Sequence, residues 1–191
     1  NLEWKIRFRA FVASYQEACE RGELTKASEE TMRTWINQML AVFGWNVRNT
    51  NHVLQEVPLD ITERTTLNKI GSTNTRPDYT LMNGRVRLFF LDAKKRTVNI
   101  KDDNSVAFQI RSYGWSIGAS YSVVTNMDEL AIYDCTAMPR HTDNADFARI
   151  VYLRTENYTD NFDCLNSFLG REETINNDHR IKFVGKDSIN K

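Results

Sequence analysis

Asn83-Gly84 sits between two runs that suit a pleated strand, Asp78 to Met82 and Arg85 to Lys94. An Asn-Gly pair flanked this way signals an antiparallel hairpin, because both residues tolerate the left-handed backbone of a tight turn. The second run contains Leu88-Phe89-Phe90-Leu91, the densest apolar stretch of the chain, and therefore reads as a central strand. The order of elements around it, α-α-β-β-β-α-β-β, suggests a sheet extended around this hairpin and covered by helices.

The flanking sequence supplies both. Residues 2 to 20 place Leu2, Ile6, Phe8, Phe11, Val12, Tyr15 and Cys19 at helical spacing, and Gly22 ends that helix. A second helix starts after Ser28, an N-cap residue, with Glu29 and Glu30 in the first turn. Its apolar face is Met32, Trp35, Ile36, Met39, Leu40 and Phe43, and Gly44 stops it. Strands are expected at Trp45 to Arg48 and Val53 to Leu59, and a loop over the Thr/Asn-rich residues 60 to 76. After the central hairpin come a charged loop, a helix from Ser105 to Gly118, and a second hairpin, Tyr121 to Thr125 and Leu130 to Tyr133, around Met127-Asp128. A loop, a strand at Arg149 to Leu153 and a short helix at Phe162 to Leu169 follow. The expected class is α/β (α+β): a mixed sheet flanked by helices. The expected divisions are an N-terminal helical arm (1–27), a core (28–135), a C-terminal addition (136–170) and a polar tail or linker (171–191).

Charge and cysteine content narrow the function. Lys plus Arg and Asp plus Glu are 25 each, so no basic excess exists to grip nucleic acid by bulk electrostatics. Any such contact must be local or depend on other domains. Cys19, Cys135 and Cys164 have neither zinc spacing nor a disulfide framework, which favours a reducing, cytoplasmic setting. Cys135 and Cys164 read as core packing. No apolar run is long enough for a membrane span. The chain starts without Met and without a signal-peptide pattern, as expected of a piece of a longer protein. No Gly-x-Ser-x-Gly or His-Glu-x-x-His run is present, and His52, His141 and His179 are isolated, so protease or esterase chemistry lacks support.

The hairpin also carries the charged residues with most chemical meaning. Arg76-Pro77-Asp78-Tyr79 opens its first strand and Asp92-Ala93-Lys94-Lys95 closes its second. Two converging carboxylates can hold Mg2+, which prefers hard oxygen ligands and keeps several waters, with Mn2+ as a substitute. Asp78 and Asp92 would be the ligands, with the Ala93 carbonyl as a third. Lys94 would orient the attacking water and stabilise developing negative charge. Otherwise these are charged residues where strands emerge.

Convergence depends on parity. Side chains alternate faces along a strand. Asp92 and Lys94 therefore share a face with Val86, Leu88 and Phe90, while Arg85, Arg87, Phe89, Leu91 and Ala93 take the other. A two-residue Asn-Gly turn pairs Met82 with Arg85 and puts Asp78 on the wrong face. An odd-length turn, such as Met82-Asn83-Gly84 with Gly84 left-handed and Leu81 paired with Arg85, or one bulge, restores it. The spacing thus predicts a bulged or odd-length hairpin.

Other residues fit around this centre. Glu29 lies about 60° from Met32 on the second helix, against about 160° for Glu30, so Glu29 is the better accessory acid. Taken alone it is a first-turn glutamate favoured by the helix dipole. Gln109 and Tyr113 share a helical face and are candidates to contact a phosphate, a metal-bound water or Lys94. Arg76, Lys95, Arg96, Lys101 and Arg111 are candidate phosphate contacts.

In this order the pieces resemble the PD-(D/E)xK nuclease superfamily, and within it the N-terminal nuclease domain of type I restriction subunits and of fused restriction-methylation (type IIG) enzymes. The matching segments are Glu29-Glu30-Thr31-Met32-Arg33 with Gly44-Trp45, Arg76 to Leu81, Asn83-Gly84, Leu91 to Lys95, Gln109 to Tyr113, and Val124-Thr125-Asn126 with Ile132-Tyr133-Asp134. The resemblance implies a restriction-endonuclease-like αβββαβ core and Mg2+-dependent cleavage of double-stranded DNA. It gives metal binding to Asp78 and Asp92, the catalytic lysine to Lys94, the helix acid to Glu29 and supporting roles to Gln109 and Tyr113. Asp92 stands where Glu is common, and Met127 replaces the Gly usual after Thr-Asn. No methyltransferase or helicase motif is visible, so methyltransferase, specificity or translocase parts are expected elsewhere. Cutting both strands needs two sites or two nicks, which makes a transient dimer an expectation. The competing expectation is a nuclease-fold module that binds nucleic acid or a partner protein without cutting.

Overall fold

Six strands lie side by side in chain order in a computed structural model that describes residues 2–176. They are β1 (Val53–Gln55), β2 (Tyr79–Asn83), β3 (Val86–Ala93), β4 (Tyr121–Thr125), β5 (Glu129–Asp134) and β6 (Arg149–Arg154). Neighbours are antiparallel except β3 and β4, which run parallel. Parallel neighbours require a crossover, and helix α4 (Asn104–Ser116) provides it. The remaining helices are α1 (Leu2–Glu20), α2 (Glu29–Val42), α3 (Ile61–Lys69), α5 (Phe162–Leu169) and α6 (Arg171–Asn176). The result is a mixed sheet with helices on both faces, compatible with a restriction-endonuclease-like fold. No helix among the described residues is long and apolar enough to cross a membrane.

Alternation along the strands sorts the core into two layers. Tyr79, Leu81, Phe89, Leu91, Val123 and Ile132 face α1, α2 and α5, where they meet Phe8, Tyr15, Met32, Ile36 and Leu165. Phe90, Val124, Ala131 and Tyr133 face α3 and α4, where they meet Leu67, Val106, Ile110 and Tyr113. Leu2 and Ile6 are not in the core but are 74% and 60% exposed. They lie off the stripe of Phe8, Phe11, Val12, Tyr15 and Ala18 that α1 buries. Cys135 is buried, but Cys164 is exposed, since α5 buries Phe162, Leu165 and Leu169 instead.

Helix α2 starts as expected, with the Ser28 side chain accepting from the Thr31 amide at 3.1 Å. It ends in a Schellman motif. Gly44 has φ +91, the Trp45 amide donates to the Leu40 carbonyl, and the Gly44 amide donates to that of Ala41. This turn explains why Trp45 to Arg48 is not a strand. The indole of Trp45 is pulled inward, donating to the Leu169 carbonyl at 2.6 Å and packing edge-on against Phe89. Asn46 then closes a turn by accepting from the Arg48 amide. Strand β1 is also shorter than expected, ending at Gln55 before Glu56 turns left-handed with φ +52.

The expected loop over 60–76 contains α3. A capping box starts it: Asp60 accepts from the Glu63 amide, and Glu63 accepts from the Asp60 amide. Farther on, α6 occupies the first part of the stretch read as a polar tail. It docks through the Arg171 amide, which donates to the Phe43 carbonyl. The rest of that stretch, with His179, lies outside the described residues.

The central hairpin is bulged. Tyr79 pairs with Leu91, Thr80 with Phe90 and Leu81 with Phe89, but Met82 pairs with Arg87 and Asn83 with Val86. Leu88 is the extra residue, and Gly84-Arg85 forms the tip, with Gly84 at φ +62. The bulge thus lies inside the ladder, not in a Met82-Asn83-Gly84 turn. It also reverses the facing of β3 residues before it. Leu88 packs into the α1/α2 layer, and Arg87 reaches the other side, where it pairs with Glu63 of α3.

Candidate active site

The register that carries Tyr79 opposite Leu91 puts Asp78 opposite Asp92 one step further along. The Asp78 amide donates to Asp92 Oδ1 at 3.0 Å, and the Ala93 amide donates to Asp78 Oδ2 at 2.7 Å. The side chains of Asp78 and Asp92 are 10% and 5% exposed. Burial and then the neighbouring Asp92 charge raise the Asp78 carboxyl to about 6, against the opposing pull of the Ala93 amide and Arg33.

Lys94 follows on the same face. Its amide donates to the Thr125 carbonyl at 3.0 Å, which anchors it to the end of the neighbouring strand β4. Its ammonium donates to Asp92 Oδ2 at 3.1 Å and to Gln109 Oε1 at 2.8 Å. Gln109 in turn donates to the Tyr113 hydroxyl at 3.2 Å. Both residues sit on α4, whose N-cap Asp103 accepts from the Ser105 and Val106 amides. The Tyr113 ring packs edge-on against Phe90. Burial and the Asp92 charge keep its phenol protonated far above neutral pH. Asp78, Asp92, Lys94, Gln109 and Tyr113 therefore form one connected chain of contacts.

Glu29 approaches from α2 but does not touch either aspartate directly in these contacts. It pairs with Arg33, one turn along, at 3.2 Å. Arg33 donates from the same Nη2 to Asp78 Oδ1 and pairs through Nη1 with Glu56 at 3.0 Å. The Glu56 amide donates to the Asp78 carbonyl at 2.9 Å. Sequence reasoning missed Arg33 and Glu56 as site residues. The Glu29/Arg33 spacing of four was an available signal. Glu56 had none, because only the left-handed backbone after β1 brings it in.

The candidate phosphate contacts diverge. Arg76 and Lys95 are exposed beside the motif. Arg96 is half-buried and pairs with Asp128 at 2.9 Å. Arg111 does not face outward as expected. It is 1% exposed, pairs with Asp143 at 2.7 Å and stacks over Phe147, because its position on α4 faces the loop 136–146. DNA cannot reach it in this arrangement.

Among the described residues no group of three or more His, Cys, Asp or Glu side chains has metal-holding geometry. The centre is a two-carboxylate site. Glu29, Glu56, Asp78 and Asp92, set against Arg33 and Lys94, leave two negative charges in excess. Adjacent carboxylate oxygens with that excess suit a hard divalent cation that retains water ligands.

No family model matches the chain, and no solved structure matches it. A curated relative does: the "Type II restriction enzyme and methyltransferase RM.Eco57I" of Escherichia coli, 28% identical over 169 residues. The alignment covers 88% of this chain and 17% of that protein. Over most of its length, then, the chain is similar to a small part of a restriction enzyme and methyltransferase.

Proposed function

We propose that this chain is a Mg2+-dependent DNA endonuclease domain of the PD-(D/E)xK type, the cleavage module of a restriction-modification system. The observation that carries the reading is the contact chain Asp78–Asp92–Lys94–Gln109, drawn from two strands and a helix. The similarity to a restriction enzyme and methyltransferase supports it independently. Asp78 and Asp92 would hold the cation with the Ala93 carbonyl. The bound Mg2+ supplies Lewis-acid polarisation of a phosphoryl oxygen and a water of lowered pKa.

The protein's own groups do the rest. Lys94 directs its ammonium toward the attacking water and the phosphoryl oxygen that gains charge. Gln109 fixes the ammonium by accepting one of its hydrogens, and Tyr113 fixes Gln109. Arg76 and Lys95 would meet the DNA backbone near the cut. Sequence recognition and most of the affinity would come from other parts of the system, consistent with the balanced charge. Cutting both strands would use two copies in a transient dimer or two successive nicks.

Cleavage of supercoiled plasmid with Mg2+ tests this, using the domain alone and joined to a DNA-recognition domain. Parent protein should nick or linearise the plasmid, and Lys94→Ala should lose about 100-fold or more in rate. No cleavage by either protein in the joined form would refute the endonuclease reading. It would favour a silent nuclease-fold module, for which the engagement of Asp78 by Arg33 is the one structural argument.

A further inference from the structure

One guanidinium serves three carboxylates at the edge of the acid pair. Arg33 Nη2 contacts both Asp78 Oδ1 and Glu29 Oε1, and Nη1 contacts Glu56 Oε1. Its surroundings are built for this. Glu29 is one helical turn before it on α2. Glu56 adopts a left-handed backbone that a side chain rarely accepts, with φ +52. The Glu56 amide binds the Asp78 carbonyl, so the peptide that presents one acid to Arg33 also fixes the other. Arg33 itself is held at both ends of its fork, with its side chain 25% exposed.

We propose that Arg33 is the resident counter-ion of this acid pair and sets its affinity for divalent cations. In the metal-free protein it neutralises Asp78, whose other oxygen is held by the Ala93 amide. A divalent ion on Asp78 and Asp92 must share Asp78 Oδ1 with the guanidinium or displace it. Glu29 and Glu56 then retain Arg33 beside the site, so it gives up one partner without losing the others. Like charges a few ångströms apart repel even when partly solvated, so Arg33 opposes metal entry and raises the concentration needed to load the site. An Arg is required because a planar fork can span three acids, whereas a Lys ammonium is a single point. The inference rests on the metal-site reading of Asp78 and Asp92.

The test is calorimetric titration with MgCl2 at mildly alkaline pH of the parent, Arg33→Met, Arg33→Lys and Asp92→Asn. Arg33→Met should bind Mg2+ about tenfold more tightly than the parent, and Arg33→Lys by a smaller factor in the same direction. The side-chain 15N resonance of Arg33 should move on Mg2+ addition in the parent and stay fixed in Asp92→Asn, which locates the ion at the acid pair beside Arg33. Equal or weaker binding by folded Arg33→Met overturns the proposal. Should that variant not fold, unchanged binding by Arg33→Lys overturns it. Metal binding by the parent with no response to either substitution removes the role of Arg33 and leaves the metal site standing. Absence of Mg2+ binding in all four proteins removes both.

Discussion

Asp78→Asn should alter the response of stability to pH in a calculable way. The Asp78 carboxyl is raised from 3.8 to about 6, first by burial and then by the charge of Asp92. The folded protein therefore holds this proton more tightly than the unfolded chain. Between those two values the fold binds more protons, and stability falls as pH rises. Below 3.8 the penalty is absent, and above about 6 it is present in full. At about 1.4 kcal/mol per pH unit the displacement corresponds to about 3 kcal/mol. Asparagine does not titrate, so the variant lacks this decline. It also loses the charged bond from Arg33, but that loss is nearly constant above the window and does not mimic the slope. The assay is urea denaturation of both proteins from roughly pH 4 to roughly pH 8 with a chelator present. The stability of the parent minus that of the variant should fall by about 2–3 kcal/mol across the range, most of the full displacement. Because the Asp92 charge is one cause of the raised Asp78 carboxyl, Asp92→Asn should partly flatten the same window. Parallel profiles for parent and Asp78→Asn would refute the argument that burial and like charge strain this pair.

Other substitutions test the scaffold. Gly114→Ala would place a methyl 2.5 Å from Cys135 Sγ and 2.6 Å from Ser122 Oγ; the overpacking should cost about 1–3 kcal/mol in denaturation and move Gln109 relative to Lys94. Glu63→Ala removes both the capping box of α3 and the partner of Arg87, and should cost about 2–3 kcal/mol by the same measurement. Gly84→Ala meets no neighbouring atom but stands at φ +62, so thermal melting should show a loss of about 1 kcal/mol from backbone strain alone. If the endonuclease reading holds, Gln109→Ala should lower the cleavage rate while leaving α4 intact by circular dichroism.

The legible parts of the fold were those where a local rule and burial agree. Ser28 with Glu29 and Glu30 and the apolar run around Phe89 and Phe90 each announce their element and form it, and Asn83-Gly84 announces the hairpin although its tip falls one residue later, at Gly84-Arg85. The need for a bulge was legible too, since it follows from counting faces between Asp78 and Asp92. Its position was not, because the choice of Leu88 depends on the α1/α2 layer that receives the side chain. Helix α3 was missed because it buries only Glu63 and Leu67 and so shows no apolar stripe. Its one local signal was Asp60 and Glu63 at capping-box spacing. Trp45 to Arg48 looked like a strand from its residue types, yet the indole's partner, the Leu169 carbonyl, is remote in sequence. The same applies at the site. Asp78, Asp92, Lys94, Gln109 and Tyr113 could be aligned by periodicity, whereas Glu56 enters through a backbone reversal and Arg111 is turned away by a salt bridge to a distant loop.

The surplus residue at Leu88 has a practical corollary for transplanting or redesigning such a centre. Copying the two acids and the lysine, with their separation of 14 residues, onto a tight-tipped ribbon whose ladder carries no bulge would leave the carboxylates back to back across the sheet. Deleting Leu88 from this protein should instead leave the acids facing each other, because the surplus residue and the break in the ladder would go together.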